Sequence, residues 1–165
     1  MAWFECGGGN NAGPIENVPM LLFGDGEWQN TDLFDVTISP TGAEDLSIDS
    51  DGNLIYGANT TGISVFCKDT TKTFGYLAEF EITGSSYMQT GRCVKGADAK
   101  RCQNEGYQRL SFHGDSLSNT SLLYLMGNCI ANTTEAIFFS GLNAKIRHIY
   151  VWYGENPRYL WFNND

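Results

Sequence analysis

Residues 74–82 read Phe-Gly-Tyr-Leu-Ala-Glu-Phe-Glu-Ile. In an extended chain Tyr76, Ala78, Phe80 and Ile82 fall on one side, with Glu79 and Glu81 on the other. A period of two is the pattern of a strand with one face in a core. Outward from this stretch the same texture recurs. Strands are expected at Leu33–Ile38, Leu46–Ile48, Leu54–Tyr56, Gly62–Lys68, Tyr107–His113, Leu122–Met126, Ala136–Ser140, Lys145–Tyr153 and Tyr159–Phe162. Leu21–Phe23 and the segment 117–126 are ambiguous by pattern. No stretch sustains i, i+3, i+4, i+7 spacing beyond two turns, so no long amphipathic helix is expected.

About ten short strands, separated by Gly, Asn, Asp and Ser, point to an all-β fold: an antiparallel β-sandwich or jelly roll. Glycine, 19 of 165 residues, exceeds the average of about 7% and supplies positive-φ turn positions. Residues 20–165 form one domain of ordinary size. Residues 1–19 are Gly- and Asn-rich, contain Pro14 and Pro19 and have no sustained period. They read as an extended N-terminal arm.

The formal net charge is −9, and it is unevenly placed. Residues 1–67 hold no Lys or Arg and ten carboxylates, whereas residues 68–165 hold all ten cations and nine acids. The two parts thus carry −10 and +1, the kind of asymmetry that head-to-tail packing of identical copies exploits. Nucleic acid is excluded as a partner, because neutralising phosphates takes clustered Lys and Arg in net excess. No apolar run approaches the roughly 18 to 20 residues needed to span a bilayer, so no membrane insertion is expected. The N-terminus has neither a basic nor an apolar region of a secretory signal and does not read as one.

The chemistry-bearing motifs are sparse. Asp49-Ser50-Asp51-Gly52-Asn53 places oxygens at alternate positions, as calcium loops do, but an EF-hand needs a Glu where Thr60 stands. A hairpin turn with Gly52 at positive φ is the preferred reading. The five cysteines (Cys6, Cys67, Cys93, Cys102, Cys129) show no metal-ligand spacing with His113 or His148, so neither metal nor cofactor is expected. Free thiols are the default, with a Cys93–Cys102 bridge as the alternative in an oxidising medium. Glu79 and Glu81 sit about 7 Å apart on one strand face, a separation that glycoside hydrolysis uses. A solvated strand face is the simpler account of the pair. No nucleophile elbow, phosphate loop or dinucleotide fingerprint is present, and the chain is not expected to be an enzyme.

The aromatic residues carry more information. Strict alternation over Lys145–Tyr153 sets Arg147, Ile149, Val151 and Tyr153 on one face and Ile146, His148, Tyr150 and Trp152 on the other. In Tyr107–His113, Leu110 and Phe112 would look inward, leaving Tyr107, Arg109 and His113 outward. If both strands share one sheet, then Trp152, Tyr150, His148, Tyr107, Arg109 and His113 make a platform for a sugar ring. Two other readings stay open: the aromatics fill the core with their polar tips satisfied, or they line a subunit interface.

The opening Trp3-Phe4-Glu5-Cys6-Gly7-Gly8-Gly9 resembles the start of small structural proteins encoded by phages and prophages of gut Firmicutes. In these an aromatic-Glu-Cys-Gly-Gly-Gly head precedes a variable β-rich domain. Lys145-Ile-Arg-His-Ile-Tyr-Val-Trp-Tyr-Gly154 resembles the penultimate strand of concanavalin- or laminin-G-like sandwiches. Together these resemblances imply a non-enzymatic virion component, tail- or capsid-associated and assembled in the bacterial cytoplasm. Trp3, Phe4, Cys6, Gly7, Gly8 and Gly9 would dock to other virion subunits or to identical copies, and the sandwich would face outward to a host-surface carbohydrate. The alternatives are a purely architectural decoration or cement protein, and a carbohydrate-active enzyme or binding module using Glu79 and Glu81.

Overall fold

The computed structural model of the protein describes residues 16–38, 45–57, 61–82, 86–94, 109–113, 121–129, 135–155 and 157. Its strands are β1 (Met20–Gly24), β2 (Glu27–Trp28), β3 (Phe34–Ile38), β4 (Leu46–Ile48), β5 (Leu54–Tyr56) and β6 (Thr61–Cys67). They continue with β7 (Phe74–Ile82), β8 (Tyr87–Val94), β9 (Arg109–His113), β10 (Ser121–Cys129), β11 (Glu135–Leu142) and β12 (Lys145–Tyr153). No α-helix occurs among the described residues. The fold is an all-β sandwich of two antiparallel sheets. One sheet runs β10-β7-β12-β1-β2, with β5 also pairing β12 and β4 pairing β5; the other runs β3-β6-β11-β8-β9.

The core lies between the sheets. From β7 it takes Phe74, Tyr76, Ala78, Phe80 and Ile82, the alternate set that the sequence marks, and from β12 it takes Ile146, Ile149, Val151 and Tyr153. The other sheet supplies Phe34, Ile63, Val65, Cys67, Met88, Ile137 and Phe139. At one end of the sandwich the Phe34 ring meets Phe74 and Tyr153, each at a centroid distance of 5.7 Å. Burial of such rings removes large apolar areas from water and drives assembly. Tyr56 and Tyr76 enter the interior because their hydroxyls find partners: Tyr56 Oη donates to Phe139 O at 3.3 Å, and Tyr76 Oη bonds Thr90 Oγ1 at 3.1 Å.

Two β-bulges change which residues face inward. In β1 the pairing with β12 runs Met20↔Val151, Leu21↔Tyr150, Phe23↔Ile149, so Leu22 is the extra residue. Leu22 and Phe23 are both fully buried, which is why Leu21–Phe23 shows no alternation. In β12 the pairing with β7 runs Ile146↔Phe80 and then His148↔Glu79, so Arg147 is the extra residue. Ile146 therefore belongs to the core, not to the face of His148 where strict alternation puts it.

The 49–53 segment is the expected hairpin turn, joining β4 to β5 with Gly52 at φ 79°. Asp49 builds it: its Oδ1 accepts from the backbone N–H of Asp51 and Asn53 at 3.0 and 2.9 Å, and its Oδ2 accepts from Asn53 Nδ2 at 3.0 Å. With Lys145 Nζ also at 3.4 Å, the hydrogen bonds from Asn53 and the neighbouring donors hold the Asp49 carboxyl down at about 2. That carboxylate is spent on N–H donors, and no group of three or more metal-ligating side chains exists among the described residues.

Of the remaining expectations, β8 and β2 have no counterpart in the sequence reading, and β9 begins at Arg109. Tyr107, Tyr159–Phe162, Cys102 and residues 1–15 lie outside the described residues. Cys67 is a buried free thiol whose Sγ donates to Asp69 O at 3.3 Å, and burial pushes the thiol up. That environment is inert rather than nucleophilic.

Candidate functional site

The six-residue platform does not assemble. β9, with Arg109 and His113, is the edge strand of the five-stranded sheet, where it pairs β8 through Arg109↔Gly91 and His113↔Tyr87. β12, with His148, Tyr150 and Trp152, lies inside the other sheet. The two strands never share a surface, because connectivity rather than local pattern decides which sheet a strand joins.

Trp152 is a second correction. It faces away from the core, as alternation requires, but it is fully buried and offers no ring to solvent. Its cross-strand partner is Gly75. A Cβ there would lie 2.5 Å from the Trp152 Cε2 atom and 2.7 Å from Cζ2, so the glycine lets the indole rest on the backbone of β7. Trp152 Nε1 is buried without a hydrogen-bond partner.

The residues that do converge surround Glu79, on the outer face of β7. His148 Nδ1 lies 2.6 Å from Glu79 Oε2, and Arg147 Nη1 lies 3.8 Å from Glu79 Oε1. The β12 bulge causes this convergence: by adding one residue it brings two consecutive side chains to one carboxylate. The Glu79 side chain is 12% exposed, whereas those of His148 and Arg147 are 36% and 43% exposed. The carboxylate is thus the base of the site and the two nitrogen groups are its rim. The Tyr150 ring lies beside the imidazole, at a centroid distance of 5.9 Å and 33° between planes. Gly24 on β1 leaves room for the imidazole, since a Cβ there would stand 3.0 Å from His148 Cδ2.

A carboxylate only accepts hydrogen bonds, so the His148 Nδ1–H donates the bond to Glu79 Oε2. The pairing holds the imidazole in fixed orientation, as in carboxylate–histidine pairs generally. Among the described residues no partner occupies Nε2, and Arg147 has none besides Glu79. Glu81 pairs in register with Lys145 of β12, and Lys145 reaches across to Asp49 at 3.4 Å.

A cavity of about 450 Å³ lies at the other end of β12, between Glu16, Asn17, Thr71–Thr73, Gly154 and Glu155. Lys72, its cation, is paired with Glu16 at 2.7 Å. The pairing ties down the chain where it enters the sandwich, as does the hydrogen bond from Asn17 N to Tyr153 O at 2.7 Å.

Strict alternation puts Arg147 on the face of Ile149 and Val151, and pairs Glu79 only with Glu81. The signal for their meeting is present all the same: two successive polar residues, Arg147-His148, interrupt an apolar run between Ile146 and Ile149, which marks a bulge. Trp3, Phe4, Cys6, Gly7, Gly8, Gly9 and Tyr107 lie outside the described residues. No protein family matches the chain, and no curated protein matches its sequence.

Proposed function

We propose that the protein is a non-enzymatic component of a bacteriophage virion. In this reading the Gly-rich N-terminal arm docks on other virion subunits or on identical copies. The sandwich is carried outward to meet a host-surface carbohydrate. The observation that supports it best is where the chain enters the domain. Asn17 is hydrogen-bonded to Tyr153, so β1 begins and β12 ends at the same end of one sheet. The described chain therefore enters the domain at that end, while the Glu79–His148 cluster lies along the flank of the sheet. Glu79 already holds an imidazole and a guanidinium, which suits a positioning group better than one of two glycosidase carboxylates.

Deleting residues 1–12 tests the reading. The truncated chain is expected to stay soluble and folded but no longer to sediment with particles. Unchanged incorporation would overturn the arm's role.

A further inference from the structure

We infer that the outer edge of β10 is a self-association seam, along which two copies of the chain pair antiparallel about a two-fold axis and join their sheets into one. This goes beyond the virion reading and does not depend on it, since it rests on strand order and residue order alone.

β10 is the end strand of the order β10-β7-β12-β1-β2. All nine of its residues pair β7, from Ser121↔Ile82 to Cys129↔Phe74, with no shift of register. In an antiparallel ladder alternate residues turn their N–H and C=O toward one neighbour. Every second residue of β10 therefore turns them away from β7, and among the described residues no strand meets them. Such an edge is a template for another strand, and sheets ordinarily blunt it by shortness, charge, proline or a bulge. The other end strands obey that rule. β2 and β4 have two and three residues, β3 carries Asp35, and β9 carries Arg109 and His113. β10 reads Ser-Leu-Leu-Tyr-Leu-Met-Gly-Asn-Cys, with no charged residue and no proline, and its ladder has no bulge. Among the described end strands it alone is both long and unguarded.

A second copy is the occupant that fits. An edge strand pairs antiparallel with its own copy under two-fold symmetry, and the contact closes instead of propagating. With the axis at the central residue, Leu125 stands opposite its counterpart, Tyr124 opposite Met126 of the second copy and Leu123 opposite Gly127. No charge is set against a like charge along the seam. The net charge of −9 does not oppose the contact there. Glu79 and Glu81 lie on β7, one strand in from the edge, so three strand spacings, at least about 14 Å, separate them from their counterparts. That exceeds a Debye length of about 8 Å, and Glu79 is already offset by Arg147. A foreign strand would have to match a run of nine uncharged positions, whereas a copy brings the same run with it.

Analytical ultracentrifugation of the full chain over a concentration series tests the seam, together with amide hydrogen exchange on the same samples. Wild type is expected to form a dimer whose fraction falls on dilution. Amides of Ser121–Cys129 should exchange faster in the dilute sample, while those of β9, an end strand of the other sheet, keep their rates. Tyr124→Lys adds a cation in register with Glu79, on the face away from the core set of β7. Across the axis two cross-strand pairs are lost and two cations come to lie diagonally, so the dissociation constant should rise roughly tenfold, with thermal unfolding confirming an intact fold. Thr37→Lys, on β3 of the other sheet, should leave the constant unchanged. Wild type that sediments as a monomer at every concentration overturns the seam. A dimer whose β10 amides exchange at the same rate on dilution, or one that Tyr124→Lys leaves as tight as wild type, places the contact elsewhere and overturns it too. Assembly that runs on past the dimer overturns the two-fold axis.

Discussion

Replacing Gly75 by alanine puts a methyl group where the indole of Trp152 already rests. The added carbon would lie 2.5 Å from Cε2 and 2.7 Å from Cζ2, well inside van der Waals contact. Trp152 is fully buried, so the ring cannot swing into solvent, and the strain must pass to its neighbours. Overpacking of this kind costs about 1–3 kcal/mol. Against it stands a gain of about 0.4–1 kcal/mol, because alanine narrows the unfolded ensemble relative to glycine. The net expectation is a loss of roughly 1–2 kcal/mol, which for a chain of this size lowers Tm by about 2–8 °C. Urea denaturation measures the loss, and a double-mutant cycle assigns it. In a Trp152→Leu background the steric conflict is gone, so Gly75→Ala should cost almost nothing, a coupling of about 1–2 kcal/mol. Additive effects, or a Gly75→Ala variant as stable as wild type, would refute the placement of the indole on Gly75.

Three further outcomes follow from named contacts. Thr90→Val removes the hydroxyl that meets Tyr76 Oη at 3.1 Å in the interior and should cost about 1 kcal/mol in urea denaturation; Tyr76→Phe should then cost less in that background than in wild type. Gly52→Ala forces a side chain onto φ 79° and within 2.8 Å of the Asp25 backbone, so it should lose about 1–2 kcal/mol, more than Gly26→Ala, whose nearest neighbour is a side-chain methyl. The Asp49 carboxyl, held at about 2 in the folded chain against an ordinary 3.8, contributes stability that is complete above the ordinary value and is lost as pH falls through the folded one. Denaturation midpoints at pH 5 and pH 2 should therefore differ less for Asp49→Asn than for wild type, and an equal difference would deny the turn its role.

Much of this architecture can be read from residue order where a strand is uninterrupted. Phe74–Ile82 emerges with the observed bounds and core facing because Phe74, Tyr76, Ala78, Phe80 and Ile82 recur at every second position with no bulge to shift them. Lys145–Tyr153 emerges with the observed bounds but not the observed facing, since the bulge at Arg147 shifts Ile146 to the core. β8 escapes notice because Gln89 and Thr90 are polar yet buried, and the Tyr76 hydroxyl that makes Thr90 acceptable inside lies on another sheet. The sequence leaves Trp152 open between core, interface and platform, because the close approach that admits its indole depends on Gly75, a cross-strand neighbour far off in the chain. The cluster around Glu79 joins residues from two strands through one extra residue of backbone. A periodicity argument loses the facing of such a strand at the very point where the bulge brings those groups together.

The placement of β1 beside β12 also governs how the domain bears load. A pull applied between residue 16 and the His148 face draws β1 and β12 past each other along their length. The paired positions Met20↔Val151, Leu21↔Tyr150 and Phe23↔Ile149 then resist together, because their hydrogen bonds lie across the direction of force. A pull between residue 16 and residue 155, which leave from the same end, instead peels the two strands apart one bond at a time, starting at Asn17 and Tyr153. The same pair of strands is a clamp in shear and a zipper in tension.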